Sequence, residues 1–199
     1  MSVTSNLYVV AAICGNFWQE STVNPGIWEN LTVGAPGYGL GQWTDNAQVS
    51  RKTALFNYLD SHGYARDSGD GQLEFLVYEN IWVPNAITPS AYNTLTDYFN
   101  SSSTNLSDLV YEFFYHWEGI NDGTGPTRLS FATDTLNEFL TDDYIREPWY
   151  AGNQYNSHSR AIWNSLRIKD YLYGSTPPHP IPPHTRRRGL KPWFIDYIS

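Results

Sequence analysis

Apolar residues at Leu7, Val10, Ala11, Cys14, Phe17 and Trp18 recur every three or four positions, which predicts a helix from about Thr4 to Glu20 with these residues on one face. The periodicity then stops. From Ser21 to Trp43 the chain is punctuated by Asn24-Pro25-Gly26, Gly34, Pro36-Gly37, Gly39 and Gly41, the signature of loop and short extended segments. Helical stripes resume downstream. Asn46 is the expected cap of a helix carrying Val49, Leu55, Phe56 and Leu59 and ending at Gly63, and Asp70 that of one carrying Leu73, Leu76, Val77 and Ile81. Thr88-Pro89 reads as a cap and first-turn proline ahead of Tyr92, Leu95 and Phe99. Leu106, Leu109, Val110, Phe113, Phe114 and Trp117 form the next stripe, and Leu129, Ala132, Leu136 and Leu140 another. A last helix is expected from Ser159 to Tyr173, stopped by Gly174. Beyond it Pro177 to Pro183 holds five prolines, the composition of a polyproline linker. The expected class is α+β, mainly helical, with a small irregular β/loop region at residues 21–45.

At 199 residues the chain fits one large domain with an appendage. Its 8 Trp, 15 Tyr and 9 Phe supply enough ring surface for a packed core, which excludes a disordered, collagenous or coiled-coil chain. The net charge of −8 is unevenly divided. Residues 1–174 carry 8 basic and 19 acidic side chains, whereas residues 175–199 carry 4 and 1, mostly through Arg186, Arg187 and Arg188. An acidic body argues against nucleic acid as a partner, because phosphate capture needs clustered cations. The short basic run is either a solvated tail or a docking strip. Cys14, the only cysteine, can form no internal disulfide. The apolar run Leu7 to Gly15 is half the length of a membrane span and follows no basic residue, so neither membrane insertion nor Sec export is expected.

The candidate chemistry lies in residues 15–46. Glycoside cleavage needs a carboxylic acid that protonates the leaving oxygen, and an apolar, aromatic setting raises a Glu enough to do so near neutrality. Glu20 has that setting, with Phe17 and Trp18 before it, a helix C-terminus around it and a glycine-rich segment ahead. Taken alone, a Glu in this position is more often a solvated helix end. Cys14 with His62 or His116 has the types of a thiol nucleophile, but its place on the apolar stripe reads as core. Glu112 and His116 have metal-ligand spacing without the second histidine of a His-Glu-x-x-His motif and read as structural; the glycines lack the Lys-Ser or Lys-Thr of a phosphate loop. No metal or organic cofactor is expected.

The run Gly15-Asn16-Phe17-Trp18-Gln19-Glu20-Ser21-Thr22-Val23-Asn24-Pro25-Gly26-Ile27-Trp28, followed by Gly37-Tyr38-Gly39-Leu40-Gly41-Gln42-Trp43-Thr44, resembles the phage tail lysozyme family of peptidoglycan-cleaving domains. The likeness continues through Gln72-Leu73-Glu74-Phe75-Leu76 and Phe113 to Glu118 as far as Arg128, covering roughly residues 5–140. The resemblance implies a lysozyme-like fold, cleavage between N-acetylmuramic acid and N-acetylglucosamine, and Glu20 as general acid. It further implies Ser21, Trp28, Tyr38, Gly39, Gln42 and Trp43 as the glycan-binding set. Asp45 is the candidate second carboxylate, by a more distant likeness to goose-type lysozymes whose Asp stands one residue earlier. It also reads as a helix N-terminal residue beside Asn46, and Glu29 is a third choice. The expected organisation is a lysozyme-like domain at 1–140, a helical extension of it at 141–174, and a proline-rich linker with a basic tail at 175–199. The implied setting is a phage virion tail, assembled in the host cytoplasm and acting on cell-wall glycan, with other tail proteins as further partners. Two other readings stand beside this one: a lytic transglycosylase using the same Glu20, and a non-catalytic tail component that binds glycan or serves assembly.

Overall fold

The first apolar stripe forms α1, Leu7–Ser21, in the computed structural model, which describes residues 2–141 and 148–174. Asn6 caps it, accepting the Tyr8 N–H at 2.9 Å. Every residue from Val9 to Phe17 is buried. The expectation of one buried face was therefore too narrow: α1 is enclosed all round, which makes it the central helix of the fold. A short hairpin follows, β1 (Gly37–Tyr38) pairing antiparallel with β2 (Trp43–Thr44), with Gly37 opposite Thr44 and Tyr38 opposite Trp43. Helices α2 (Arg51–His62), α3 (Gly69–Glu79), α4 (Leu95–Phe99), α5 (Leu106–Phe113), α6 (Gly125–Phe139) and α7 (His158–Lys169) make up the body. Turns of π-helix extend α5 through Phe114–Glu118 and α7 through Asp170–Gly174. The architecture is α+β and mainly helical, as the pattern predicts.

Three helix starts differ from expectation, each where another hydrogen bond competes. Asn46 accepts the Gln48 and Val49 N–H groups and closes a turn, so α2 begins only at Arg51 and Val49 is exposed. α3 is capped by Ser68, whose hydroxyl accepts from the Gly71 N–H at 3.2 Å, leaving Asp70 in the first turn. Thr88-Pro89 starts no helix. Glu112 reaches over to accept from the Ser90 hydroxyl and the Ala91 N–H, and the chain stays irregular until Thr94 and Asp97 form a reciprocal capping box for α4.

Two contacts set the frame around residues 15–46. Gly15 lets α1 and α6 approach backbone to backbone, because a Cβ there would run into the Arg128 carbonyl oxygen and the Ala132 side chain. Gln72, wholly buried on α3, accepts from the Leu40 N–H at 2.9 Å and donates to the carbonyls of Pro25 and Arg66, both at 2.7 Å. That one side chain ties the glycine-rich loop to the helical body. Pro177–Pro183 and Arg186 to Arg188 lie outside the described residues.

Candidate active site

Glu20 stands in the last turn of α1, where the helix ends by turning left-handed at Thr22 (φ 53°) and again at Val23 (φ 52°). β-branched residues resist that conformation, so the surroundings must hold it. They do. The Thr22 N–H donates to the Trp18 carbonyl at 2.9 Å and the Val23 N–H to that of Phe17 at 3.1 Å. The Ser21 hydroxyl donates to the Leu40 carbonyl at 2.7 Å, the Asn164 amide to that of Val23 at 2.7 Å, and the Asn156 N–H to the Thr22 hydroxyl at 2.7 Å. The carboxyl of Glu20 is 18% exposed, and its Oε1 accepts from Arg128 Nη2 at 2.6 Å. Arg128 is itself fully buried, donating further to Thr124 Oγ1 and Asn16 Oδ1 and lying 4.1 Å from the Phe114 ring centre. Burial, the largest effect, raises the Glu20 carboxyl above the ordinary glutamate range; Arg128 opposes it and the charge of Asp122 adds to it.

Glu20 opens onto a cleft of about 470 Å³. Trp28, Ile120, Val49 and Tyr155 give this cleft apolar surface, and Glu29, Gln42, Arg51 and Glu118 give it polar groups. Glu118 closes the π-helical turn after α5, so two carboxyls at two helix C-terminal ends face one space. Oε1 of Glu118 is shut off from solvent and has no hydrogen-bond partner. Burial pushes its carboxyl well above the ordinary range; Glu20 and Glu79 push the same way, while Arg128 and Arg51 oppose. Arg51 is held beside it by Glu79, Nη2 to Oε1 at 2.7 Å, with its guanidinium 4.5 Å from the Trp117 ring centre.

Of the residues singled out from sequence, Glu20, Trp28, Gln42 and Glu29 line the cleft together. Gln42 fixes the loop by donating to the Gly39 carbonyl at 3.1 Å. Tyr38, Gly39, Ser21 and Trp43 stand behind the lining. Tyr38 packs edge-on against Trp28 with ring centres 4.7 Å apart, and its buried hydroxyl is pushed up to about 12. Gly39 takes φ 79° against the Gln72 side chain. Trp43 is wholly buried and donates from its indole to Glu79 at 2.8 Å. Asp45 is not part of the cleft lining: its carboxylate accepts the Thr53 N–H at 3.0 Å and hydroxyl at 2.7 Å at the start of α2, with Lys52 at 4.0 Å. Desolvation works against the charge there, but the bonds from Thr53 and the Lys52 charge outweigh it and hold Asp45 below the ordinary range. His116 is buried, Nδ1 2.8 Å from the Val83 carbonyl oxygen, and Cys14 lies in the core with its thiol pushed up to about 12 by burial.

Glu118 and Arg128 escaped the reading of site residues. Arg128 carried a signal, a lone basic residue on the apolar α6 pattern, since an arginine on a buried face needs an anionic partner. Glu118 follows a stripe that ends at Trp117, and the π turn shifts the faces by one residue.

A curated relative, morphogenesis protein 1 of Bacillus phage B103, is 44% identical over 73 residues, which cover 34% of this chain and 18% of that protein. The match thus spans less than a fifth of the relative's length. The sequence model of the phage tail lysozyme family matches residues 6–139, from the cap of α1 to the end of α6, and the chain belongs to that family.

Proposed function

We propose that this protein is a glycoside hydrolase of the phage tail that cleaves peptidoglycan strands between N-acetylmuramic acid and N-acetylglucosamine, with Glu20 as general acid. The observation that carries the reading is the setting of Glu20: a carboxyl raised by burial, lining a cleft and held through Oε1 by a buried arginine. Glu20 gives its proton to the glycosidic oxygen, the anomeric C–O bond breaks, and water adds to the anomeric carbon. Trp28 and Tyr155 offer ring faces for sugars, and Gln42 and Glu29 offer hydrogen bonds to hydroxyl and acetamido groups. In the virion such cleavage opens the wall locally.

One observation favours a second reading. Asp45 is engaged with Thr53 and Lys52 rather than with the cleft, so no second carboxylate from that position orients a water. A lytic transglycosylase needs none, because Glu20 then acts as acid and next as base while the sugar's own 6-hydroxyl closes on the anomeric carbon. Digestion of purified peptidoglycan by wild type and Glu20→Gln, with reducing ends and product masses followed together, separates these readings. The expected result is hydrated reducing-end product, reduced by about 10²–10⁴ in the variant. Product lighter by one water means transglycosylation. A folded wild type that cleaves none of several wall types means a structural or glycan-binding component.

A further inference from the structure

Glu20 and Glu118 differ in what surrounds them. Glu20 has a guanidinium on its Oε1 at 2.6 Å, a partner that favours the ionised form. Glu118 has no donor on its sealed Oε1 and makes no ion pair with Arg51, which is committed to Glu79 through both Nη2 (2.7 Å) and Nε (3.3 Å). A buried carboxylate with an unsatisfied oxygen is unfavourable, whereas the neutral acid is far less so. We propose that Glu118 is the proton-holding partner of Glu20: the two carboxyls share one proton, which rests on Glu118 while Glu20 is paired with Arg128. The inference rests on the glycosidase reading above and adds a source for the proton that Glu20 delivers.

The charged groups acting on the pair come from several elements, and Glu29 and Tyr155 line the same cleft. Arg128 and Asp122 flank Glu20 from α6 and the loop before it; Arg51 from α2 and Glu79 from α3 flank Glu118. The two cations are each tied to a carboxylate already, so neither is free to neutralise a second one fully. Burial holds both acids above the ordinary range, and the charge of Glu20 raises Glu118 in addition, so the two titrations are linked. When substrate displaces water from the cleft they both line, the proton passes from Glu118 to Glu20. Glu118 becomes the carboxylate, Glu20 the acid, and the charge of the pair is unchanged. Glu20 then protonates the glycosidic oxygen, and solvent restores the proton to Glu118 after product leaves. Glu118 is therefore a positioning residue for the proton, acting through Glu20.

The test is a carbon-13 carboxyl NMR titration of the wild type and of Glu20→Gln, together with pH profiles of kcat/KM for wild type and Glu118→Gln. The expected wild-type signal of Glu118 is that of the protonated acid at pH 7, moving to a lower midpoint in Glu20→Gln because the like charge has gone. In Glu118→Gln the alkaline limb of kcat/KM moves down by about one pH unit or more, since Glu20 alone must keep the proton. A Glu118 carboxylate ionised at pH 7 in wild type overturns the proposal, as does an unmoved alkaline limb accompanying a uniform loss of rate. Wild type inactive on peptidoglycan overturns the glycosidase reading instead, and the NMR midpoints decide the pair on their own.

Discussion

Folding takes up a proton at Glu118, because its carboxyl binds one more tightly in the folded chain than in the unfolded one. Between the two midpoints the native state carries more protons, so stability falls as pH rises; the contribution is full below the unfolded value and is lost toward the folded one. Glu118→Gln removes that dependence while keeping volume. The variant is expected to match wild type below about pH 4 and to exceed it by on the order of 1–3 kcal/mol at neutral and alkaline pH. Thermal melts across pH check this, and a variant less stable than wild type at pH 8 would contradict it. Arg128 should behave oppositely. Arg128→Met leaves Asn16 Oδ1 and Glu20 without their buried donor, for a loss of about 3–5 kcal/mol. It also removes the cation opposing the upward displacement of Glu20, so what activity survives extends to higher pH. Calorimetry and a pH profile on the same sample would show both effects.

Helix α1 brings the acid and α6 brings its arginine, and the distance between those axes is set at Gly15. Gly15→Ala places a methyl against the Arg128 carbonyl and the Ala132 side chain, neither of which can yield without moving α6. The expected outcome is a loss of about 1–3 kcal/mol, with a fall in kcat larger than any change in KM because Arg128 is drawn away from Glu20. Unchanged kcat with lowered Tm would show that the arginine contact survives the shift. Elements of this kind were partly legible in the sequence. The stripes of α1, α5 and α6 were readable because burial follows a helical period, and Glu20 stood out because a family resemblance covered its neighbours. The helix start at Asn46 misled because its side chain bonds nearby backbone in a turn, and that at Thr88 because Glu112, distant in sequence, takes up the Ala91 N–H. Glu118 closes a stretch that carries the resemblance, but its role was not legible: a π turn breaks the period on which a face is inferred, and the neighbours that give it meaning, Glu20 and Arg51, are 98 and 67 positions away.

The family match ends at residue 139, yet the support of Glu20 does not. Residues 148–174 return to α1: Asn156 and Asn164 hold Thr22 and Val23 in their left-handed conformation, and the Asn24 amide donates to the carbonyls of Gly152 and Gln154. The segment also closes the core with Ala161, Leu166, Ile168 and Leu172, and the Val3 and Thr4 N–H groups both donate to the Leu172 carbonyl. Burial of the three larger aliphatics is worth about 1.5–3 kcal/mol each, together close to the roughly 5–15 kcal/mol by which a domain is stable. A chain ending at Thr141 would leave the matching faces of α1 and α6 bare and release the strained turn after Glu20. It is expected to lose its cooperative thermal transition and to be cut rapidly by protease, whereas a chain ending at Gly174 should melt cooperatively. If the shorter chain melts at the same Tm and keeps its peptidoglycan cleavage, residues 148–174 are an appendage. If it melts cooperatively but no longer cleaves, the segment's part is confined to holding the turn that aims Glu20.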